Sequence, residues 1–173
     1  CTPSRGLGDV YKRQVEDESS PNGLLASVFD IDASATGVPD LSSGSPSSTF
    51  EVDNLDVPPT RGDAFPGSEA SGAYAIRFAG SLNVVEEGEF EFCLESDDGS
   101  KMYLMDTVVV DNDGIFDVPQ STCELVFLEA GEYDMHVDYV QVGGEGLTFR
   151  MLWGKDGAEP EAIPNEVLYK PGT

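Results

Sequence analysis

The chain is 173 residues long, enough for one domain with a core of its own. Its 33 Asp and Glu against 9 Lys and Arg give a formal net charge of -24, which argues against nucleic acid and anionic membrane as ligands, since both demand clustered Lys and Arg. Hydrophobic residues at 39% and a mean hydropathy of -0.22 fit a folded domain, and no apolar run approaches the roughly 20 residues of a membrane-spanning helix.

Residues 1–14 stand apart. Arg5, Lys12 and Arg13 fall there with a single acid, Asp9, so the rest of the chain holds 32 acids and 6 bases. There is no starting Met and no apolar core of a signal peptide. Gly8 to Gln14 resembles translated sequencing-adaptor read-through. The expected organisation is an adaptor-derived or disordered leader (1–14), a linker (15–22), one folded domain (23–170) and a short tail (171–173), as a fragment of a longer protein.

Residues 32–72 are rich in Ser, Gly and Pro and read as a long surface loop with one or two short strands. Arg61-Gly62-Asp63 within it matches the integrin-ligand tripeptide, but three-residue strings arise by chance. Strand signals then follow. Tyr74 to Phe78 alternates. Phe90, Phe92 and Leu94 share one face of a run; so do Tyr133, Met135, Val137 and Tyr139, opposite Asp134, His136 and Asp138; so do Leu147, Phe149, Met151 and Trp153. Glu87-Gly88, Asp98-Gly99, Asp113-Gly114, Ala130-Gly131, Gly143-Gly144 and Asp156-Gly157 punctuate the runs. Ile163 to Tyr169 reads as a closing strand. No stretch shows helical periodicity. The pattern predicts an all-β, single-domain antiparallel sandwich or barrel.

Trp153 reads as core and His136 as a surface residue. Cys93 and Cys123 allow one disulfide or two thiols: Cys93 shares parity with Glu91 and Glu95, Cys123 with Leu125 and Phe127, and the pattern does not choose.

Ser96-Asp97-Asp98-Gly99-Ser100 is the most informative stretch. It places two carboxylates side by side where a strand ends. At about 4 Å and an effective dielectric near 20 they repel by roughly 4 kcal/mol. A hard cation reverses that sign, because Ca²⁺ prefers carboxylate and carbonyl oxygens. Asp111-Asn112-Asp113-Gly114 begins like an EF-hand loop, but Thr122 stands where the twelfth-position acid belongs, so it reads as a turn on the same rim.

These motifs in order resemble the protective-antigen-type (PA-fourteen) β-sandwich family, which implies the antiparallel β-sandwich (jelly-roll-like barrel) as the fold. Ala75-Ile76-Arg77-Phe78-Ala79-Gly80-Ser81-Leu82 matches its entry strand, Gly88 to Phe92 leading into Ser96 to Ser100 its central signature, and Val110 to Gly114 its Asp-Asn turn. Leu128 to Tyr133, Val137 to Tyr139 and Leu147 to Trp153 follow in family order, and Gly23 to Phe29 resembles its opening strand. Asp106-Thr107 stands where the family often has Asp-Gly, and Ile115-Phe116 where it often has His.

The resemblance implies a calcium-dependent carbohydrate-binding module of a larger extracellular or cell-surface protein, an adhesin or a glycan-processing enzyme, without catalysis of its own. In sugar-binding members the two aspartates are joined by a cis peptide and hold Ca²⁺, which grips sugar hydroxyls. Carried over, Asp97 and Asp98 are metal ligands, with Gln141, Gly144 and Glu145 from the loop 141–146. Asp97, Asp98 and Gly143, with Tyr103 and Phe116 as stacking rings, would meet terminal sugars of a glycan or polysaccharide. The partners expected are sugars and flanking domains, without nucleic acid or membrane insertion. The competing reading is a structural or protein-docking spacer without a sugar site. A glycosidase is the third, and adjacent aspartates do not resemble its separated carboxylate pair.

Overall fold

Alternation along the runs becomes two stacked antiparallel sheets in the computed structural model, which describes residues 20–144 and 146–172. The expected leader, most of the linker, Glu145 and Thr173 lie outside the described residues. Among the described residues twelve strands follow in chain order: β1 Leu24–Asp30, β2 Ser48–Val52, β3 Asp56–Arg61, β4 Tyr74–Val84, β5 Gly88–Asp97, β6 Ser100–Leu104, β7 Thr107–Asn112, β8 Gln120–Leu128, β9 Gly131–Gln141, β10 Gly146–Lys155, β11 Glu161–Ala162 and β12 Leu168–Tyr169. One sheet runs β2-β1-β4-β9-β6-β7, with β12 also on β4; the other runs β11-β10-β5-β8, with β3 also on β10. Among the described residues there is no α-helix, hence none long and apolar enough to cross a membrane. The region 32–72 holds the two short strands β2 and β3.

The inward faces are those the alternation marks. Phe78 stacks on Phe149 between the sheets (5.4 Å between centroids), and Tyr139 packs on Phe149 at 4.8 Å. Phe65, from the loop between β3 and β4, fills the gap beside Phe78 at 5.2 Å. Each such ring removes about 150–250 Å² from water, and all four are buried. On the opposite face of the larger sheet the Arg77 guanidinium donates twice to the Asp138 carboxylate, at 2.7 and 2.8 Å. The pairing lets Asp138 stay buried.

Strand register decides the cysteines. Cys93 on β5 lies directly opposite Cys123 on β8, and the two form a disulfide with an S–S distance of 2.03 Å. Cross-strand partners share a face, so Leu125 and Phe127 stand beside Glu91 and Glu89 on the outer surface. They are 60% and 62% exposed. Apolar alternation on β8 therefore marks solvent, not core.

Three connections between the sheets meet at one end of the sandwich. Asp98-Gly99 carries the chain from β5 to β6, residues 113–119 from β7 to β8, and the connection that begins with residues 142–144 from β9 to β10. What the sequence presents as three separate turns is one surface.

Candidate functional site

A buried polar network sets the floor of this end. Asn112 Nδ2 donates to Ser96 Oγ at 3.0 Å and to the Gln120 carbonyl at 3.1 Å. Thr122 donates to Asn112 Oδ1 at 2.9 Å, and the Ser96 and Ser100 hydroxyls lie 2.7 Å apart. These five residues tie β5, β6, β7 and β8 together, so the crossover between β5 and β6 leaves from a fixed point. Gly99 is required there. A Cβ on it would sit 2.6 Å from the Gly114 nitrogen, and the 113–114 turn closes against it. Asp113 accepts from the Val38 N–H at 2.7 Å and pairs with Lys101 at 3.3 Å. Its own N–H donates to Asp111 at 3.1 Å, the local bond of the turn expected here.

Asp97 and Asp98 are joined by a cis peptide bond. Asp98 is 1% exposed, and its carboxylate is held by backbone. Oδ1 accepts the Phe116 N–H at 2.9 Å, and Oδ2 accepts the Val142 N–H at 2.9 Å. One side chain therefore fastens the other two connections to its own. Each oxygen keeps a lone pair for a further partner. The Asp97 carbonyl accepts from the buried Tyr139 hydroxyl at 2.6 Å, and burial pushes that phenol well above its ordinary range, keeping it a donor.

The Asp97 carboxyl is raised from 3.8 to about 6. Loss of water around it is the largest cause, followed by the charge of Asp98, a hydrogen bond between the two carboxyls and the charge of Asp117. A cavity of about 480 Å³ opens over the pair, with Asp117, Phe116, Val142 and Gly144 on its walls. No Lys, Arg or His lines it among the described residues. Carboxylates gathered without a basic neighbour, in a space with carbonyl-bearing loop around it, suit a hard divalent cation.

The expected residues are not all brought together. Asp97, Asp98, Phe116, Gly143 and Gly144 line the cavity. Gly144 has φ 117°, a backbone conformation that favours glycine. Gln141 is fully buried beneath the loop: Nε2 donates to the carbonyls of Gly143 (3.2 Å) and Gly146 (3.3 Å), and Oε1 lies 2.7 Å from the Tyr139 hydroxyl. Its amide shapes the loop. Tyr103 is not part of the cavity. It stacks on His136 (4.3 Å, 14°) on the outer face of the larger sheet. Glu145 lies outside the described residues. The sequence does not single out Asp117, which also lines the cavity. Its signal was a lone acid after Ile115-Phe116, indistinguishable there from the chain's many others.

A family model described as the PA14 domain matches residues 20–166. Solved structures share the fold. The PA14 domain of the MpAFP antifreeze protein is 18% identical with a TM-score of 0.72, over 91% of this chain and 99% of that one. A PA14 sugar-binding domain from an RTX adhesin is 16% identical with a TM-score of 0.73, over 87% and 99%. The epithelial adhesin 6 A domain from Candida glabrata, solved with Galb1-3GlcNAc, is 10% identical with a TM-score of 0.64, over 89% of each. No curated protein matches the chain.

Proposed function

Because the chain belongs to the PA14 domain family, we propose that it is a calcium-dependent carbohydrate-binding module of an extracellular or cell-surface protein. The observation that carries this reading is the Asp98 carboxylate, buried and bonded to the backbone of two loops, beside an Asp97 carboxyl that lacks a basic partner among the described residues. In this reading Asp97 and Asp98 hold the ion together with carbonyl oxygens of the loop at Gly143 and Gly144, and Asp117 adds charge from the cavity wall. Gln141 and Tyr139 set the loop's shape. When bound, the calcium supplies open coordination positions for vicinal hydroxyls of a terminal sugar. Phe116, half-buried on the wall, offers an apolar surface to the sugar ring. The neighbours that are sugar-binding or glycan-complexed adhesin domains support the ligand class.

The test is glycan-array binding with calcium and with EDTA, for the chain and for Asp97→Ala. Binding that needs calcium and is lost in the variant is the expected result. Binding that survives both chelation and substitution overturns the reading.

A second reading, a protein-docking spacer, draws on the outer face of β8, where Leu125 and Phe127 are exposed. It predicts no glycan binding and no calcium-dependent rise in melting temperature.

A further inference from the structure

The sandwich has a second concavity at its other end. In the β5–β10 pair, Thr148 lies opposite Asp97 and Lys155 opposite Phe90. Seven residues of β10 separate these points, about 23 Å at the rise of a strand. There a cavity of about 360 Å³ opens between the turn after β4 and the segment joining β10 to β11. Its floor is apolar: Trp153 stacks on Phe90 at 5.3 Å and 26°, with Val85 and Val167 beside them. Trp153 is only partly buried, because the core that covers Phe92 and Met151 ends here.

The rim is acidic. Lys155 reaches it but is already engaged, at 3.3 Å from Glu86 and 3.7 Å from Asp156. Glu159 and Glu161 also line the opening. Neither side chain has a hydrogen-bond or ion-pair partner among the described residues. The cavity thus joins an aromatic floor to two uncompensated carboxylates, in a chain of net charge -24.

We propose that this cavity binds a small organic cation with an apolar body, of the alkylammonium or quaternary ammonium class. The apolar body covers Val85 and Val167. The cationic head meets the negative π-face of the indole and the field of Glu159 and Glu161, and both attractions have the same sign. A bare metal ion gains nothing from the floor, and a neutral sugar leaves the carboxylate charge unused. The site contains none of the residues around Asp97 and Asp98, so it needs no calcium.

Trp153 is the chain's only tryptophan, so its emission reports this cavity alone. Choline and butyltrimethylammonium are titrated in EDTA at physiological salt. Neohexyl alcohol, the neutral carbon isostere of choline, and methyl glucoside are the controls. Saturable changes with the two cations and none with the controls are expected. Glu159→Gln with Glu161→Gln should weaken the cations roughly five- to tenfold without altering the melting temperature. An equal response to the isostere reduces the site to an apolar pocket. A response to methyl glucoside alone makes it a sugar subsite. Unchanged affinity in the double variant, or no response at tens of millimolar, also overturns the proposal.

Discussion

The carboxylate of Asp98 accepts the N–H of Val142 at 2.9 Å, across 44 residues of sequence. With the Phe116 N–H on its other oxygen, it makes three inter-sheet connections into one wall. Asp97, bonded to it directly, has no comparable partner for its charge among the described residues. The pair divides its labour: Asp98 builds the site and Asp97 carries the unneutralised charge.

Substitution should separate these roles. Asp98→Ala orphans two backbone donors, at about 1–3 kcal/mol each, and urea denaturation should show that loss without any metal. Asp97→Asn removes a carboxylate that repels Asp98, so metal-free stability should hold or rise. The calcium-induced rise in melting temperature should vanish in both variants. Equal destabilisation by the two in EDTA would contradict the division.

The raised Asp97 carboxyl sets a pH dependence. The folded chain holds this proton more tightly than the unfolded one, so the stabilisation is complete below pH 3.8 and is lost as pH rises through about 6. Metal-free melting temperature should fall across that window more steeply in the parent chain than in Asp97→Asn, which isolates the group from other acids. Calcium affinity should rise over the same window, because protons and the ion compete for one carboxylate.

Gly99→Ala tests how tightly the connections close. The new methyl meets the backbone of Gly114, and no side-chain rotation relieves that contact. A cost of about 1–3 kcal/mol is expected, with the calcium response weakened because the Phe116 segment is pushed from Asp98. A variant as stable and as calcium-responsive as the parent would show that the turn yields freely.

The disulfide closes a separation of 30 residues and anchors edge strand β8 to β5. Replacing both cysteines by alanine should cost about 2–4 kcal/mol, chiefly by releasing the unfolded chain. Equilibrium denaturation of the double variant, with and without reductant in the parent, measures it. Calcium response should persist, since neither cysteine touches the aspartate cavity.

Much of the fold is legible because burial alternates with period two. Phe90, Phe92 and Leu94, and Met135, Val137 and Tyr139, announce their inward face. Leu125 and Phe127 show where that logic stops. Their alternation is as regular, but β8 is an edge strand whose partner β5 places them among Glu89 and Glu91, in water. In the site, Asp97 and Asp98 stand out because adjacent acids at a strand end are costly. Gln141 stands at the start of the 141–146 loop, where its position suggests a ligand, yet its amide faces the Gly143 and Gly146 carbonyls under the loop. Tyr103 is by type a stacking ring, and its strand turns it to His136 instead.

By itself the sequence determined the strands, the antiparallel all-β class, the acidic character and the carboxylate pair, all of which follow from local composition and spacing. Only the tertiary structure decided what the pair faces. The partners of Asp98 are backbone N–H groups at Phe116 and Val142, which every residue except proline possesses, so no side-chain pattern marks them. The same holds for the far cavity: Trp153 reads as core until the sheets end around it and leave it lining one cavity with Glu159 and Glu161.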